Sequence, residues 1–415
     1  MTERPISSFL YQKRILLGVT GGIAAYKACT LASRLTQVGA LVDVVMTESA
    51  TRFVAPLTFE ALTGRPAYTT MWQTAGGGAL PTHIAHIGLA HEANLVVIAP
   101  ATAHTLARLA HGLADDLLTT LVLAATCPLL VVPAMDAGMW THPATRANAA
   151  MLRARGVHFA GPARGRMASG LEGPGRMVEP EEIVGYIRRV LGETGPLAGR
   201  KVVVTAGPTR EYLDPVRFLS NPATGRQGFA LAQAALDRGA AVTLITGPTG
   251  LPTPVGAERV DVTSAQEMHT AVLDNVAQAD VLLMAAAVAD YRPATIASQK
   301  IKKGTPELNL PLVRTTDILS AVAVRWAETG YPRVVVGFAA ESEHVVENAQ
   351  AKLAAKNLDL IVANDITAAD AGFVASTNRV ILIGRDGNVE ALPLMSKSAV
   401  ADQVLERVVI LLRTK

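Results

Sequence analysis

The sequence predicts two α/β units in tandem, each a largely parallel sheet wound by helices. Short β-rich runs bounded by Gly or Pro alternate with helical stretches along all 415 residues, the pattern that produces parallel strands joined by crossover helices. Half the residues are hydrophobic but only 4% are aromatic, so the interior must be built from Ala, Val, Leu and Ile, as in sheets covered on both faces. At roughly 100–200 residues per domain the length exceeds one ordinary core, and two units account for it.

In the first half, strands are expected at 15–20, 41–46, 94–99, 129–133 and 157–161, with helices at 23–38, 50–62, 105–125 and 143–155 between them. Gly39 stands in the C-cap position of the first helix. The longest apolar region, 118–135, is interrupted by Thr119, Thr120, Thr126, Pro128 and Pro133, so it reads as a helix end plus a buried strand, not a membrane span. The Gly-rich segment 164–176 has no periodicity and is expected to be a mobile flap. A helix at 180–191 closes the unit, and the polar Gly/Pro stretch at 192–199 reads as a linker, giving domains at 1–192 and 193–415.

The second half repeats the alternation, with strands at 202–205, 242–246, 281–286, 334–338 and 358–363. Asp386-Gly387 then turns a hairpin between 380–383 and 389–394, and an amphipathic helix at 398–413 ends the chain.

A net charge of +3 with no basic tract or aromatic-basic stripe points away from nucleic acid and membrane surfaces and toward small molecules. Residues 1–13 lack the apolar run of a signal peptide. Cys29 and Cys127 are too few for a disulfide framework and have no metal-ligand spacing. Buried thiols in a reducing cytoplasm are the expectation.

Gly21 and Gly22 follow a strand and open a helix, so backbone N–H groups and the positive helix end converge where a phosphate could sit. The same pair would serve a tight turn with no ligand. Thr47 ends the next strand, and the segments at 100–105 and 133–140 end two more, so all border one crevice of an open parallel sheet. A nicotinamide dehydrogenase fits poorly: there is no GxGxxG, and Met46-Thr47 closes the second strand where an acidic residue is required.

Four motifs in order, GVTGGIAAYK at 18–27, HIGL at 86–89, PATAHT at 100–105 and PAMDAGMW at 133–140, make residues 14–180 resemble the flavin-dependent cysteine decarboxylases. The resemblance implies a flavodoxin-like, trimeric domain with FMN at subunit contacts, acting on phosphopantothenoylcysteine. Gly21, Gly22, Ile23, Thr47, Phe53, Ala101 and Thr102 would hold the flavin. Flavin oxidation of the substrate thiol would ease loss of carbon dioxide, with hydride returned afterwards. His86 matches the family's essential histidine, as base or substrate orienter, whereas His83 and His91 have no such match.

Two positions depart from that family's commonest pattern. Asp136 replaces the asparagine of PxMN, and Ser169 stands where the flap supplies a cysteine proton donor. A thiol of pKa about 8.5 donates near neutrality and a serine hydroxyl does not. An ionised Asp136 would repel a substrate carboxylate by roughly 4 kcal/mol at about 4 Å and an effective dielectric near 20, so it is expected to be protonated, turned away, or paired with Arg146 or Arg166. Decarboxylation with a slowed final reduction is expected; the competing reading is an active ligase carrying a non-catalytic FMN-binding scaffold.

Of ten lysines, Lys300, Lys302, Lys303, Lys352 and Lys356 fall in one stretch of the second half. Compact ammonium groups suit a triphosphate, although spacing alone fits a solvated face equally. TAGPTRE at 205–211, DPVRFLSNPATGRQG at 214–228, AAAVADYRP at 285–293, KIKK at 300–303, GFAAE at 337–341 and KLAAKNLDLIVAND at 352–365 make residues 200–397 resemble the phosphopantothenate-cysteine ligases. Fused behind a decarboxylase, they resemble the bifunctional coenzyme A biosynthesis family. Pro222, Ala223, Thr224 and Arg226 depart from the commoner wording, which blurs the phosphate contacts.

This second resemblance implies a Rossmann-like domain with the C-terminal hairpin, dimeric contacts, and activation of 4'-phosphopantothenate by CTP to an acyl-cytidylate before cysteine displaces CMP. Lys300 would neutralise charge on the phosphoryl group. Asn221 would hold the acyl intermediate, with Arg217 beside it. Ala286, Asp290, Phe338, Lys352 and Lys356 map to the CTP pocket, and Thr316, Asp317, Ile318 and Leu319 cap a helix whose N-terminus could face phosphate. Mg²⁺ is expected with the triphosphate, its ligands unassigned.

Overall fold

A computed structural model of the chain describes residues 9–71, 85–168, 170–302, 308–341, 343–365 and 375–415, the side chains at 85–87 and 365 excepted. The chain divides into two compact units, Met1–Leu191 and Gly192–Lys415. Among the described residues no helix is long and apolar enough to cross a membrane.

The first unit runs β1 (Arg14–Val19), α1 (Ala25–Gln37), β2 (Leu41–Met46), α2 (Glu48–Thr51), α3 (Pro56–Thr63), β3 (Ala67–Tyr68), α4 (Ala85–Glu92), β4 (Leu95–Ala101), α5 (Ala103–His111), α6 (Leu117–Ala124), β5 (Leu129–Pro133), α7 (Ala137–Thr141), α8 (Pro143–Ala154), β6 (His158–Phe159), β7 (Ala163–Arg166), β8 (Glu172–Arg176) and α9 (Pro180–Gly192). Six strands form a parallel sheet in the order β3-β2-β1-β4-β5-β6. The inner strands β2, β1, β4 and β5 are buried on both faces, which is why they read as runs rich in Val, Leu and Ile. Strand order reverses between β1 and β4, so a crevice opens at their carboxyl ends.

Three expectations need correction here. The helix expected at 105–125 is two: α5 stops at Gly112, which takes a left-handed φ of 67°, and Asp116 restarts α6 by accepting the Thr119 amide at 2.8 Å. The helix expected at 50–62 likewise breaks before Pro56, which occupies the first turn of α3. The segment expected to be a mobile flap is a hairpin, with Gly165 opposite Gly173 and Arg166 opposite Glu172. Its glycines hid the strand pattern because they serve close packing. The Gly175 carbonyl accepts the Met135 amide at 2.9 Å, and a Cβ at Gly175 would lie 2.3 Å from the Met135 carbonyl oxygen.

The second unit runs β9 (Lys201–Ala206), β10 (Arg210–Tyr212), β11 (Phe218–Ser220), α10 (Arg226–Leu236), β12 (Ala241–Thr246), β13 (Glu258–Asp261), α11 (Ala265–Val276), β14 (Val281–Met284), β15 (Tyr291–Pro293), β16 (Leu312–Arg314), α12 (Ile318–Thr329), β17 (Val334–Glu341), α13 (Val345–Ala355), β18 (Leu360–Asp365), β19 (Thr377–Asn378), β20 (Val380–Gly384), β21 (Val389–Ala391), β22 (Met395–Ser396) and α14 (Lys397–Thr414). The main sheet has the order β13-β12-β9-β14-β17-β18-β20-β21, parallel as far as β18 and antiparallel beyond it. Gly387, at φ 84°, turns the expected hairpin. The ribbons β10–β11 and β15–β16 were not legible, since three residues are too few to show a period of two.

The stretch read as a linker is packed. Leu197 is buried and its amide donates to the Arg238 carbonyl at 2.8 Å. A Cβ on Gly192 or Gly195 would lie 2.6 Å from the Asp237 and 2.5 Å from the Arg238 carbonyl oxygens, respectively. Glycine serves close approach there, not freedom. Cys29 and Cys127 are free and half-buried, and burial pushes both thiols up.

Candidate functional site

In the first unit the crevice holds a cavity of about 700 Å³. Its wall brings together Gly21, Gly22 and Ile23 after β1, Thr102 after β4, Asp136 after β5, and Met167 and Arg176 of the hairpin. Thr20 ties the strand ends: its Oγ1 donates to the Pro100 carbonyl at 2.7 Å and accepts the Thr102 amide at 3.2 Å. Thr102 in turn caps α5.

The two glycines do different things. A Cβ at Gly21 would lie 2.3 Å from Ser49 Cβ and 2.9 Å from its backbone carbon, so Gly21 is demanded by packing against α2. A Cβ at Gly22 would meet only Thr102 Cγ2 at 3.7 Å, leaving room for a ligand. Helix α1 follows its N-cap Ala24 with no side-chain cap; the Ala25 and Lys27 amides close onto the Gly22 and Ala24 carbonyls, and the positive end of the helix borders the cavity.

Other expected residues sit elsewhere. Thr47 caps α2 through the Ala50 amide at 3.3 Å, Phe53 is half exposed, and Ala101 is wholly buried with its carbonyl accepting the Ala134 amide. None of the three lines the cavity. His86 is placed on α4, but its side chain lies outside the described residues, as does Ser169. Asp136 caps α7, its Oδ1 accepting the Gly138 amide at 3.0 Å. Arg146 stacks over Trp140 at 5.5 Å, whereas Arg166 shares the cavity wall with Asp136.

Sequence reasoning missed a charged clasp at the cavity mouth. Lys27, on the first turn of α1, donates to both Glu179 oxygens at 3.0 Å, and Arg176 at the end of β8 reaches the same carboxylate. The Lys27 hydrogen bond, aided by both positive charges, outweighs burial and holds the Glu179 carboxyl below its ordinary range. Lys27 was visible inside its motif, but its partner lies 152 residues away.

In the second unit a cavity of about 550 Å³ lies at the carboxyl ends of β14 and β17. It gathers Ala286, Asp290, Thr316, Asp317, Ile318, Leu319, Phe338, Lys352 and Lys356, residues expected from three separate motifs and one turn. Threonines fix its backbone: Thr205 and Thr209 accept the Ala286 and Ala289 amides at 3.1 and 3.0 Å, and Thr315 donates to the Ala289 carbonyl at 2.6 Å. Lys352 donates to the Phe338 carbonyl at 3.2 Å. Lys356 donates to Asp317 Oδ2 and to Ser320 Oγ. Burial alone would raise the Asp317 carboxyl, but hydrogen bonds from Lys356 and the Ser320 amide, with the ammonium charge, bring it below the usual range.

Lys300, Arg217 and Asn221 do not line this cavity. Asn221 donates to the Ala287 and Val288 carbonyls at 3.2 and 3.4 Å, on the loop that does line it. Arg217 donates to the Ile301 carbonyl at 2.8 Å, next to the exposed Lys300. Among the described residues no group of three or more His, Cys, Asp or Glu side chains could hold a metal ion.

Comparison with known proteins matches residues 4–192 to the family described as Flavoprotein, and residues 197–411 to the DNA/pantothenate metabolism flavoprotein C-terminal domain. The coenzyme A biosynthesis bifunctional protein CoaBC of Bacillus subtilis (strain 168) is 47% identical over 402 residues, covering 96% of this chain and 97% of that one. Its counterpart in Mycobacterium tuberculosis (strain ATCC 25618 / H37Rv) is 46% identical over 409 residues, covering 96% of each. A crystal structure of the C-terminal domain of a coenzyme A biosynthesis bifunctional protein CoaBC is 38% identical, covers 53% of this chain and 100% of that one, and superimposes with a TM-score of 0.45.

Proposed function

The chain belongs to the family of bifunctional coenzyme A biosynthesis proteins, and on that premise we propose how its two cavities divide the reaction. It is an enzyme with phosphopantothenate-cysteine ligase and phosphopantothenoylcysteine decarboxylase activities. Residues 193–415 form the CTP-dependent ligase and residues 1–192 the FMN-dependent decarboxylase.

The observation that carries the ligase assignment is the convergence of Ala286, Asp290, Phe338, Lys352, Lys356 and the turn at 316–319 on one cavity. CTP binds there, with Mg²⁺ accompanying its phosphates. Lys300 neutralises charge on the phosphoryl group during formation of the acyl-cytidylate. Asn221 and Arg217 then hold the acyl group while the amine of cysteine displaces CMP. Asn221 suits that role because two carbonyls at the cavity margin fix its amide nitrogen.

The residues of the first cavity fit a flavin mononucleotide. Gly22 leaves open space, the uncapped start of α1 suits a phosphate, and Thr102 and Met139 border the same hollow. When bound, FMN supplies the thiol oxidation that makes loss of carbon dioxide easy. Asp136 is oriented by its cap on α7, Arg166 offers charge to the substrate carboxylate from the cavity wall, and His86 handles a proton or orients the substrate. Ile23, Tyr26, Phe53 and Met139 are exposed apolar side chains, which supports subunit contacts of a trimer; Tyr291, Leu312 and Val313 on the β15–β16 ribbon support a dimeric ligase contact. The protein acts in the cytoplasm, where these substrates and free thiols persist.

The test is to incubate the flavin-loaded protein with phosphopantothenate, cysteine, CTP and Mg²⁺ and to follow CMP, carbon dioxide and phosphopantetheine separately. All three are expected. CMP without carbon dioxide from a yellow protein overturns the decarboxylase half and favours the scaffold alternative.

A further inference from the structure

The loop that carries Lys300 is fastened at three points to the turn at 213–217. The Ala297 amide donates to the Leu213 carbonyl at 3.0 Å, the Ile301 amide to Asp214 Oδ2 at 3.1 Å, and Arg217 to the Ile301 carbonyl at 2.8 Å. Asp214 makes the central fastening from complete burial. Its Oδ1 accepts the Val216 and Arg217 amides, each at 2.8 Å, so one oxygen closes the turn and the other reaches across to Ile301. A carboxylate leaves water only where its lone pairs are met, and here backbone from both sides meets them. Burial would raise this carboxyl, yet those three amides and Arg217 hold it below its usual range.

Ile301 therefore has both backbone groups bonded to the turn, while Lys300 sits on irregular backbone that by itself sets no direction for its side chain. We propose that Asp214 is the positioning residue for Lys300: by holding Ile301 it fixes the direction in which the lysine leaves its loop. This rests on the assignment of Lys300 to acyl-cytidylate formation. The same turn is the tip of the β10–β11 hairpin, whose far end leads to Asn221 at the cavity margin. One buried carboxylate thus sets Lys300 relative to the element that bears Arg217 and Asn221.

A purely local role, closing the turn, is separable from the clamp. In Asp214→Asn the amide oxygen can keep both turn amides while Nδ2 faces the Ile301 N–H, donor against donor. In Asp214→Ser the hydroxyl still closes the turn but falls short of Ile301. For the full-length variants we would measure hydrogen exchange at the Val216, Arg217 and Ile301 amides, CTP binding without phosphopantothenate, and pyrophosphate release at saturating CTP. Protection is expected to drop at Ile301 only, CTP affinity to stay within about threefold, and pyrophosphate release to fall about 100-fold, the size of effect a misplaced catalytic group produces. Near-normal release from either variant with Ile301 unprotected overturns the proposal. A parallel Lys300→Gln variant separates the two layers: normal release there removes the role of Lys300 itself, whereas its loss beside normal Asp214→Asn activity removes only the clamp.

Discussion

Lys356 and Asp317 meet at the wall of the second cavity, the lysine at the carboxyl end of α13 and the aspartate at the amino end of α12. Each charge suits the helix end on which it sits, and Asp317 also caps its helix through the Ser320 amide at 2.9 Å. On the proposed assignment of this cavity to CTP, Lys356 is already partnered by a carboxylate with which the triphosphate would compete. Asp317→Asn keeps the cap and removes the competing charge. Because the pair is part-exposed and worth at most about 1 kcal/mol, CTP affinity is expected to rise about twofold to fivefold. Titration calorimetry at two salt concentrations checks this, the gain shrinking at the higher one; weaker binding would mean that Asp317 serves the nucleotide directly.

The Glu179 clasp predicts a pH response of the hairpin. Its folded pKa is lowered, so its contribution is complete above the ordinary glutamate value of about 4.3 and fades as pH falls through the lowered one. With the intrinsic pH dependence of amide exchange divided out, protection of the β8 amides should be flat from about pH 6 to 8 and fall in acid, giving faster exchange than the intrinsic rate trend predicts. Glu179→Gln should show the faster exchange already at neutral pH; equal protection in both proteins would leave the clasp without effect on the hairpin.

Adjacent glycines should respond oppositely to the same change. Gly21→Ala forces backbone away from Ser49 and is expected to cost about 1–3 kcal/mol of stability. Gly22→Ala meets no atom closer than 3.7 Å, so it should melt normally yet hold less flavin. Calorimetry and the visible spectrum of the purified variants read the two effects separately.

On the proposed assignment of Asp136 to the substrate carboxylate, Asp136→Asn retains the cap on α7 while leaving no charge there, so faster carbon dioxide release is expected. Ser169→Cys should relieve accumulation of an oxidised aminoenethiol product, because a thiol donates its proton far more readily than a serine hydroxyl. Product analysis by mass spectrometry distinguishes the two steps. No change in either variant would detach these positions from the chemistry.

The ligase half-reactions should separate by residue. Lys300→Gln is expected to abolish acyl-cytidylate formation, whereas Asn221→Asp lets it form and slows its conversion by cysteine. Trapping labelled intermediate in a single turnover decides between them, and pyrophosphate release near normal in Lys300→Gln would exclude the proposed role.

The two-unit α/β architecture was legible from the residues alone, because parallel strands buried on both faces are written as Val, Leu and Ile runs punctuated by glycine. The motifs by which the second half resembles its family also named residues that the second cavity gathers from the segment after β14, from β17, from the start of α12 and from the end of α13. Tertiary structure alone decided what depends on contacts distant along the chain. Asp214 reaches Ile301 across 87 residues and Lys27 reaches Glu179 across 152, and no local periodicity records such a meeting. It also decided the hairpin at 163–176, where glycine permits close approach to Met135 and thereby erases the side-chain alternation by which a strand is recognised.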